Sequence, residues 1–160
     1  MRFGIGVDVH GFSADRPLIL GGIQIPYPIG LAGHSDADVL LHAIADALLG
    51  AMALGDIGQH FPDTSDEFRN ISSTIILDKT YSLVQQQGYR LQNLDSTVML
   101  EEPKIFAFIP EMRKRIAGIL QCDLHQVSVK ATTTEKLGFI GRKEGIAALA
   151  IVSLTAQEAH

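Results

Sequence analysis

The sequence predicts an α+β fold, a two-layer sandwich in which a mixed β-sheet packs against helices, formed by one domain over residues 1–160. Three observations lead there. The chain has 160 residues, the size of one domain, since domains most often run to roughly 100–150 residues. Its apolar residues recur with period two in some stretches and with helical spacing in others. These stretches do not follow a strict βαβ alternation, which argues against a doubly wound parallel sheet.

From the N-terminus, Arg2 to His10 alternates, with Phe3, Ile5, Val7 and Val9 on one face and Gly4, Gly6, Asp8 and His10 on the other, as a half-buried strand does. Leu18-Ile19-Leu20 and Ile23-Gln24-Ile25 flank Gly21-Gly22. Paired glycines reach the positive φ of a tight turn, so this segment reads as a hairpin, closed by Pro26 and Pro28. Ser35 and Asp36 are placed to cap a helix running to about Leu49, with Val39, Leu40, Ala43, Ile44, Ala47 and Leu48 as its apolar side and Gly50 as terminator. Asp38, His42 and Asp46 share a stripe on that helix. Gly55 to Ser65 has turn residues at loop density. A second helix is expected from Ser73 to Gln87, before Gly88, and a strand from about Gln92 to Glu101. Phe106, Ile109, Met112, Ile116 and Ile119 recur at helical spacing and mark a third helix. Val127 to Thr132 alternates again, and Ile146 to Leu154 is a strand apolar on both faces.

Composition narrows the function classes. Hydrophobic residues make up 46% and charged residues 19%, as in ordinary globular proteins. With 13 Lys+Arg against 18 Asp+Glu and a net charge of -5, the chain lacks the basic surface of a nucleic-acid binder. Cys122 is the only cysteine, so neither an intrachain disulfide nor a Cys-rich zinc site is available, and a metal must be held by His and carboxylate. No segment approaches the ~20 apolar residues of a membrane span. The N-terminus shows neither a signal-peptide core nor an Arg/Ser-rich transit peptide. The expected location is a bacterial cytoplasm, or a plastid stroma if a transit peptide has been removed.

Asp8 and His10 project from one face of a strand about 7 Å apart at the backbone. With His42 from the helix they make one carboxylate and two imidazoles, a catalytic zinc set with an open fourth position; a hydrogen-bonded pair at a strand end is the alternative reading. Asp38 and Asp46 either form a solvated face with His42 or orient its imidazole from behind. His34-Ser35-Asp36 stands where a helix start can take a phosphate, or where Ser35 or Asp36 merely caps. Lys130-Ala131-Thr132-Thr133-Thr134-Glu135 ends a strand with three hydroxyls and a carboxylate, and Thr132 with Glu135 also matches a capping box. The nearby cations are few: Lys136, Arg142 and Lys143. Several phosphates would therefore need metal ions to neutralise them. The residues alone point to a metal-dependent enzyme handling phosphates.

The strings GIGVDVH (Gly4 to His10), GHSDADVLLHAIADALLG (Gly33 to Gly50), ALGDIGQHFPDTS (Ala53 to Ser65) and KATTTEKLGFIGRKEGI (Lys130 to Ile146) together resemble the 2-C-methyl-D-erythritol 2,4-cyclodiphosphate synthase family. The resemblance implies a homotrimer with active sites between neighbouring subunits. The implied reaction converts 4-diphosphocytidyl-2-C-methyl-D-erythritol 2-phosphate to the cyclic diphosphate with release of CMP, in the non-mevalonate route to isoprenoids. It further implies zinc, or another first-row ion, at Asp8, His10 and His42, and Mg²⁺ or Mn²⁺ held by Glu135 with the substrate diphosphate. His34 and Thr133 would stabilise the transition state, and Ser35 would touch phosphate. Asp56, Ile57, Gly58, Phe61, Pro62, Asp63, Thr64 and Ser65 would grip the methylerythritol end. The cytidine pocket would come from Leu100, Glu101, Glu102, Pro103, Lys104, Ile105 and Phe106 with Ala131, Thr132 and Thr134. Phe139, Arg142 and Glu144 are associated in the family with a central cavity that can bind an isoprenoid diphosphate. At Ile5 and Val7 this chain departs from the aromatic or His residues frequent there.

Two other readings compete. A zinc hydrolase acting on a phosphoester or amide would use the same three ligands to activate water, with Asp46 or Asp56 as base. A non-catalytic trimeric module would sense a nucleotide or isoprenoid diphosphate through Arg142 and Phe139.

Overall fold

The computed structural model describes residues 1–62 and 71–157. Asp63, Thr64 and Ser65 lie outside the described residues. The first strand, β1 (Arg2–Ser13), continues three residues beyond its expected end and is followed by β2 (Leu18–Leu20), β3 (Ile23–Ile25) and β4 (Gly30–Leu31). Helix α1 (Val39–Met52) and the one-turn α2 (Ile57–His60) lead to α3 (Ser73–Gln86) and β5 (Tyr89–Met99). A 3₁₀ turn (Phe106–Phe108) opens α4 (Ile109–Ile119), then come β6 (Val127–Thr132), the short α5 (Gly138–Gly141) and β7 (Gly145–Ala156).

Five strands form a mixed sheet in the order β4-β1-β7-β5-β6, and β2 and β3 form the expected hairpin. Only β5 and β6 run parallel; β1 and β5 are both antiparallel to β7. Helix α1 packs on β1 and β7 and against α3, while α4 lies on β6. The fold class is therefore the expected one, a mixed sheet covered by helices over a continuous apolar core.

The alternation of β1 says which residues share a face, and the structure decides which face is covered. A Cβ on Gly4 would overlap the Ala47 carbonyl oxygen and fall 2.6 Å from the Ala51 nitrogen; on Gly6 it would overlap the Ala43 carbonyl and fall 2.6 Å from the Ala47 nitrogen. The glycine face thus meets α1 backbone to backbone, against a stripe of alanines. Phe3, Ile5, Val7 and Val9 face outward and are exposed.

Several boundaries differ from the sequence expectation. Helix α1 is capped by Asp38, whose carboxylate accepts from the Leu40 and Leu41 N–H groups, not by Ser35 or Asp36. It also runs through Gly50, because burying Ala51 and Met52 offsets the roughly 1 kcal/mol that a helical glycine costs; Ala53 at φ 58° ends it instead. The expected loop after it contains α2, capped by Asp56. The Thr132–Glu135 capping box does not form, since Glu135 and Lys136 take φ of 52° and 64° and no helix starts there. Among the described residues no helix is long and apolar enough to cross a membrane.

Candidate active site

Strand β1 delivers Asp8 and His10 toward α1, which delivers His42. Asp8 Oδ2 lies 2.9 Å from His10 Nε2 and 3.0 Å from His42 Nδ1, and the two ring nitrogens are 3.3 Å apart. The ligand atoms of a tetrahedral zinc site with ~2.0 Å bonds stand about 3.3 Å from one another. The donor set fits such a cation in chemistry and in spacing. Each imidazole is also held from behind: His10 Nδ1 meets the Ala32 carbonyl oxygen at 2.6 Å, and His42 Nε2 meets the hydroxyls of Ser73 at 2.9 Å and Ser35 at 3.2 Å.

Burial acts to raise the Asp8 pKa, but hydrogen bonds from His10 and His42 overcome it and hold the carboxyl well below the usual range. For His10, burial acts downward and the hydrogen bond and charge of Asp8 prevail, so its pKa is raised. Three groups that share protons so tightly are primed to exchange them for a cation.

Neither helical carboxylate expected behind His42 takes that part. Asp38 is fully buried and accepts from Gly21 N at 3.0 Å and Gly22 N at 2.6 Å as well as from its own helix, tying the hairpin turn to α1. Burial pushes its pKa up to about 6, with the backbone N–H groups of Gly22, Leu41 and Gly21 acting the other way. The same carboxylate takes the Leu40 and Leu41 N–H groups at the N-terminus of α1, so those two donors are not open to a phosphate. Asp46 accepts from Ile57 N at 2.8 Å and anchors α2.

Asp8, His10 and His42 open into a cleft of about 340 Å³, lined also by Gly33, His34, Ser35, Ile57, Gly58, Phe61, Ile71 and Ile76. Ser35 Oγ accepts from Ala37 N, and Arg16 donates to the carbonyl oxygens of Gly33 and Ser35, which fixes the wall carrying His34. Asp56 accepts from Gln59 N and caps α2 rather than lining the cleft. Pro62 follows Phe61 in the chain and is likewise not among the lining residues.

A second cleft, about 210 Å³, is lined by Leu100, Pro103, Lys104, Ile105, Phe106, Ile109, Ala131, Thr132 and Thr133. Glu101 and Glu102 turn away from it. Glu101 Oε1 accepts from the N–H groups of Thr134 and Lys136 and from the Thr134 hydroxyl, and Glu102 pairs with Lys143 at 2.7 Å. Thr133 Oγ1 donates to Glu135 at 3.2 Å. Val9, Ala147, Met99 and Thr132 sit in one row across the sheet. His10 and Thr133 are thus at the same sheet end but three strand spacings apart, about 14 Å. Within this one chain, Thr133 and Glu135 therefore stay away from the Asp8, His10 and His42 cluster. Arg142 is held by both oxygens of Glu144, at 2.8 and 3.2 Å, with Phe139 on the adjoining α5.

A family model described as the YgbB family matches residues 1–155. The chain belongs to the YgbB family. It is 58% identical over 151 residues, 94% of this chain and 96% of the other, to a 2-C-methyl-D-erythritol 2,4-cyclodiphosphate synthase of Chlorobaculum parvum. Among solved structures, it resembles a bifunctional IspDF from Campylobacter jejuni with a TM-score of 0.95 at 48% identity, over 98% of this chain and 42% of that one. It also resembles a CDP-bound 2C-methyl-D-erythritol-2,4-cyclodiphosphate synthase with a TM-score of 0.89 at 33% identity, over 96% of this chain and 100% of that one.

In this YgbB-family chain, sequence reasoning overlooked Ser73, Asp36 as its partner, and Arg16. Ser73 stood out only as a helix start, and nothing in its spacing connects it with His42. Ile71 and Ile76, which complete the cleft wall, carried no signal beyond hydrophobicity.

Proposed function

We propose that this chain cyclises 4-diphosphocytidyl-2-C-methyl-D-erythritol 2-phosphate to 2-C-methyl-D-erythritol 2,4-cyclodiphosphate with release of CMP, in the non-mevalonate isoprenoid pathway. The observation that carries this reading is the convergence of Asp8 Oδ2, His10 Nε2 and His42 Nδ1 at one end of a cleft, in a chain 58% identical to a synthase of that name. The bacterial relatives support a cytoplasmic location.

An oxygen of the 2-phosphate attacks the β-phosphorus, and the bond to the oxygen bridging the α- and β-phosphorus breaks as CMP departs. The attacking oxygen is already ionised, so the protein's work is positioning and charge neutralisation rather than proton abstraction. Asp8, His10 and His42 are the residues that would hold zinc or another first-row ion, and Glu135 with the diphosphate would hold Mg²⁺ or Mn²⁺; such cations act as Lewis acids on phosphate oxygens. His34, on the wall fixed by Arg16, is the group from this cleft assigned to the crowded phosphorus, with Ser35 beside it. Thr133 has the same part from the other cleft. Ile57, Gly58 and Phe61 offer the apolar wall for the methylerythritol end, with Asp56, Pro62, Asp63, Thr64 and Ser65 assigned to the same end on resemblance. The cleft of about 210 Å³ is assigned to cytidine.

The two clefts are joined in a homotrimer, in which a neighbour's Thr133 and Glu135 complete each site. Two features support this assembly: the roughly 14 Å gap inside one protomer, and the exposed apolar row Phe3, Ile5, Val7 and Val9 with Ile151 opposite Ile5, a contiguous patch of the kind that marks an interface. Phe139 and Arg142 are assigned to the trimer's central cavity, where an isoprenoid diphosphate must displace Glu144 from Arg142.

The hydrolase reading is not favoured. Asp46 and Asp56, its two candidate bases, are both engaged by backbone N–H groups of α2. Turnover in H₂¹⁸O separates the readings: cyclisation leaves the product free of solvent oxygen, whereas ¹⁸O in the product overturns the proposal.

A further inference from the structure

We propose that Ser73, with its proton held by Asp36, is a positioning residue that fixes the tautomer and the aim of His42. The inference rests on the reading of Asp8, His10 and His42 as a metal site. An imidazole that turns the Nδ1 lone pair to a cation must carry its proton on Nε2, and a buried Nε2–H needs an acceptor. Ser73 Oγ lies 2.9 Å from His42 Nε2. A hydroxyl can donate or accept, and Asp36 removes the ambiguity. The one proton of the Ser73 hydroxyl is donated to Asp36 Oδ1, so Ser73 Oγ faces His42 only as an acceptor. Asp36 Oδ2 also accepts from Ser73 N at 3.0 Å, clamping the residue at two points.

Ser73 is not needed for the ordinary duty of its position. The neighbouring Ser72 caps α3 by accepting from Thr74 N, and Ser73 itself is fully buried. The arrangement mirrors that of His10, whose Nδ1 faces the Ala32 carbonyl, an obligate acceptor. With a cation in place of the protons shared with Asp8, both rings would present one lone pair to the same point, His10 backed by a carbonyl and His42 by a hydroxyl that a carboxylate holds. Such outer partners raise ligand basicity and orientation together. Ser35 Oγ, at 3.2 Å from Nε2, already accepts from Ala37 N and is the weaker partner.

The test is Zn²⁺ affinity by competition with a chromogenic chelator, with the visible spectrum of the Co²⁺-loaded protein as a second readout. Ser73→Ala and Asp36→Asn are each expected to weaken Zn²⁺ binding by about 10- to 100-fold and to shift the Co²⁺ bands. Ser72→Ala, which removes the helix cap instead, is expected to lower the melting temperature and leave Zn²⁺ affinity within about twofold. Wild-type affinity and an unchanged Co²⁺ spectrum in folded Ser73→Ala or Asp36→Asn would overturn the proposal, as would an equal loss in Ser72→Ala. Failure of the wild-type protein to bind Zn²⁺ would instead overturn the metal-site reading beneath it.

Discussion

Asp38 joins two parts of the fold through one buried carboxylate, and Asp38→Ala measures that link. Four backbone N–H groups, those of Gly21, Gly22, Leu40 and Leu41, lose their acceptor. Loss of the helix cap costs about 1 kcal/mol, and stranding the two hairpin N–H groups costs roughly 1–3 kcal/mol each. The sum is about 3 to 7 kcal/mol. Burying the carboxylate is itself unfavourable, as its pKa near 6 records, so the expected loss lies near the lower end, about 3 kcal/mol at pH 7.5. At roughly 2–4 °C per kcal/mol for a chain of this size, the melting temperature should fall by about 10 °C. The pH dependence has a definite sign. A pKa raised above the unfolded value of 3.8 means that Asp38's contribution is greatest below 3.8 and is lost as pH rises through about 6. The cost of Asp38→Ala should therefore be about 1 kcal/mol larger at pH 5 than at pH 7.5. Urea unfolding of the two proteins at both pH values, with m unchanged, provides the assay. A loss under about 1 kcal/mol, or a cost that grows with pH, would refute the linkage.

Gly6→Ala forces a Cβ into the Ala43 carbonyl and should cost at least ~2 kcal/mol of stability, read by thermal unfolding; a neutral result would mean that β1 and α1 are not in backbone contact. If the chain assembles as the proposed homotrimer, Val7→Asp, which puts a charge in the exposed apolar row of β1, should shift sedimentation from trimer to monomer with activity lost, while a trimer that persists contradicts the assigned interface. Zn²⁺ affinity should fall by about tenfold per pH unit below the raised pKa of His10, because the proton on Nε2 must leave before a cation binds. In the metal-free protein the His10 contribution to stability is present below 6.5 and lost as pH rises through its raised value, whereas that of Asp8 is present above 3.8 and lost as pH falls through its lowered one. An affinity that is flat between pH 5 and 8 contradicts the ligand assignment.

Most long elements were legible because burial writes its period into the chain: α1, α3, α4 and β6 follow their apolar spacing, whereas β1 alternates with its apolar side exposed. What periodicity cannot state is which face of β1 is covered, and here the glycine face packs while the apolar face stays open. The cap of α1 was ambiguous because Ser35, Asp36 and Asp38 are all capping types, and the choice was made by the distant N–H groups of Gly21 and Gly22. Strand β4 and helices α2 and α5 are too short to show a period. Asp8, His10 and His42 could be read from strand and helix spacing together with the family strings. The Ser73 and Asp36 pair could not, because its contact with His42 depends on how α3 approaches α1. Glu101 likewise holds the Thr134–Lys136 turn through a contact between separate strands' ends that no local pattern encodes.

The central claim, metal-dependent cyclisation, is tested most directly by ³¹P NMR of the purified protein with 4-diphosphocytidyl-2-C-methyl-D-erythritol 2-phosphate, Zn²⁺ and Mg²⁺, beside an EDTA-treated sample. The account predicts cyclic diphosphate and CMP appearing in equal amounts, and neither in the EDTA sample. Unchanged substrate with folded, metal-loaded protein, or equal turnover after metal removal, would contradict it.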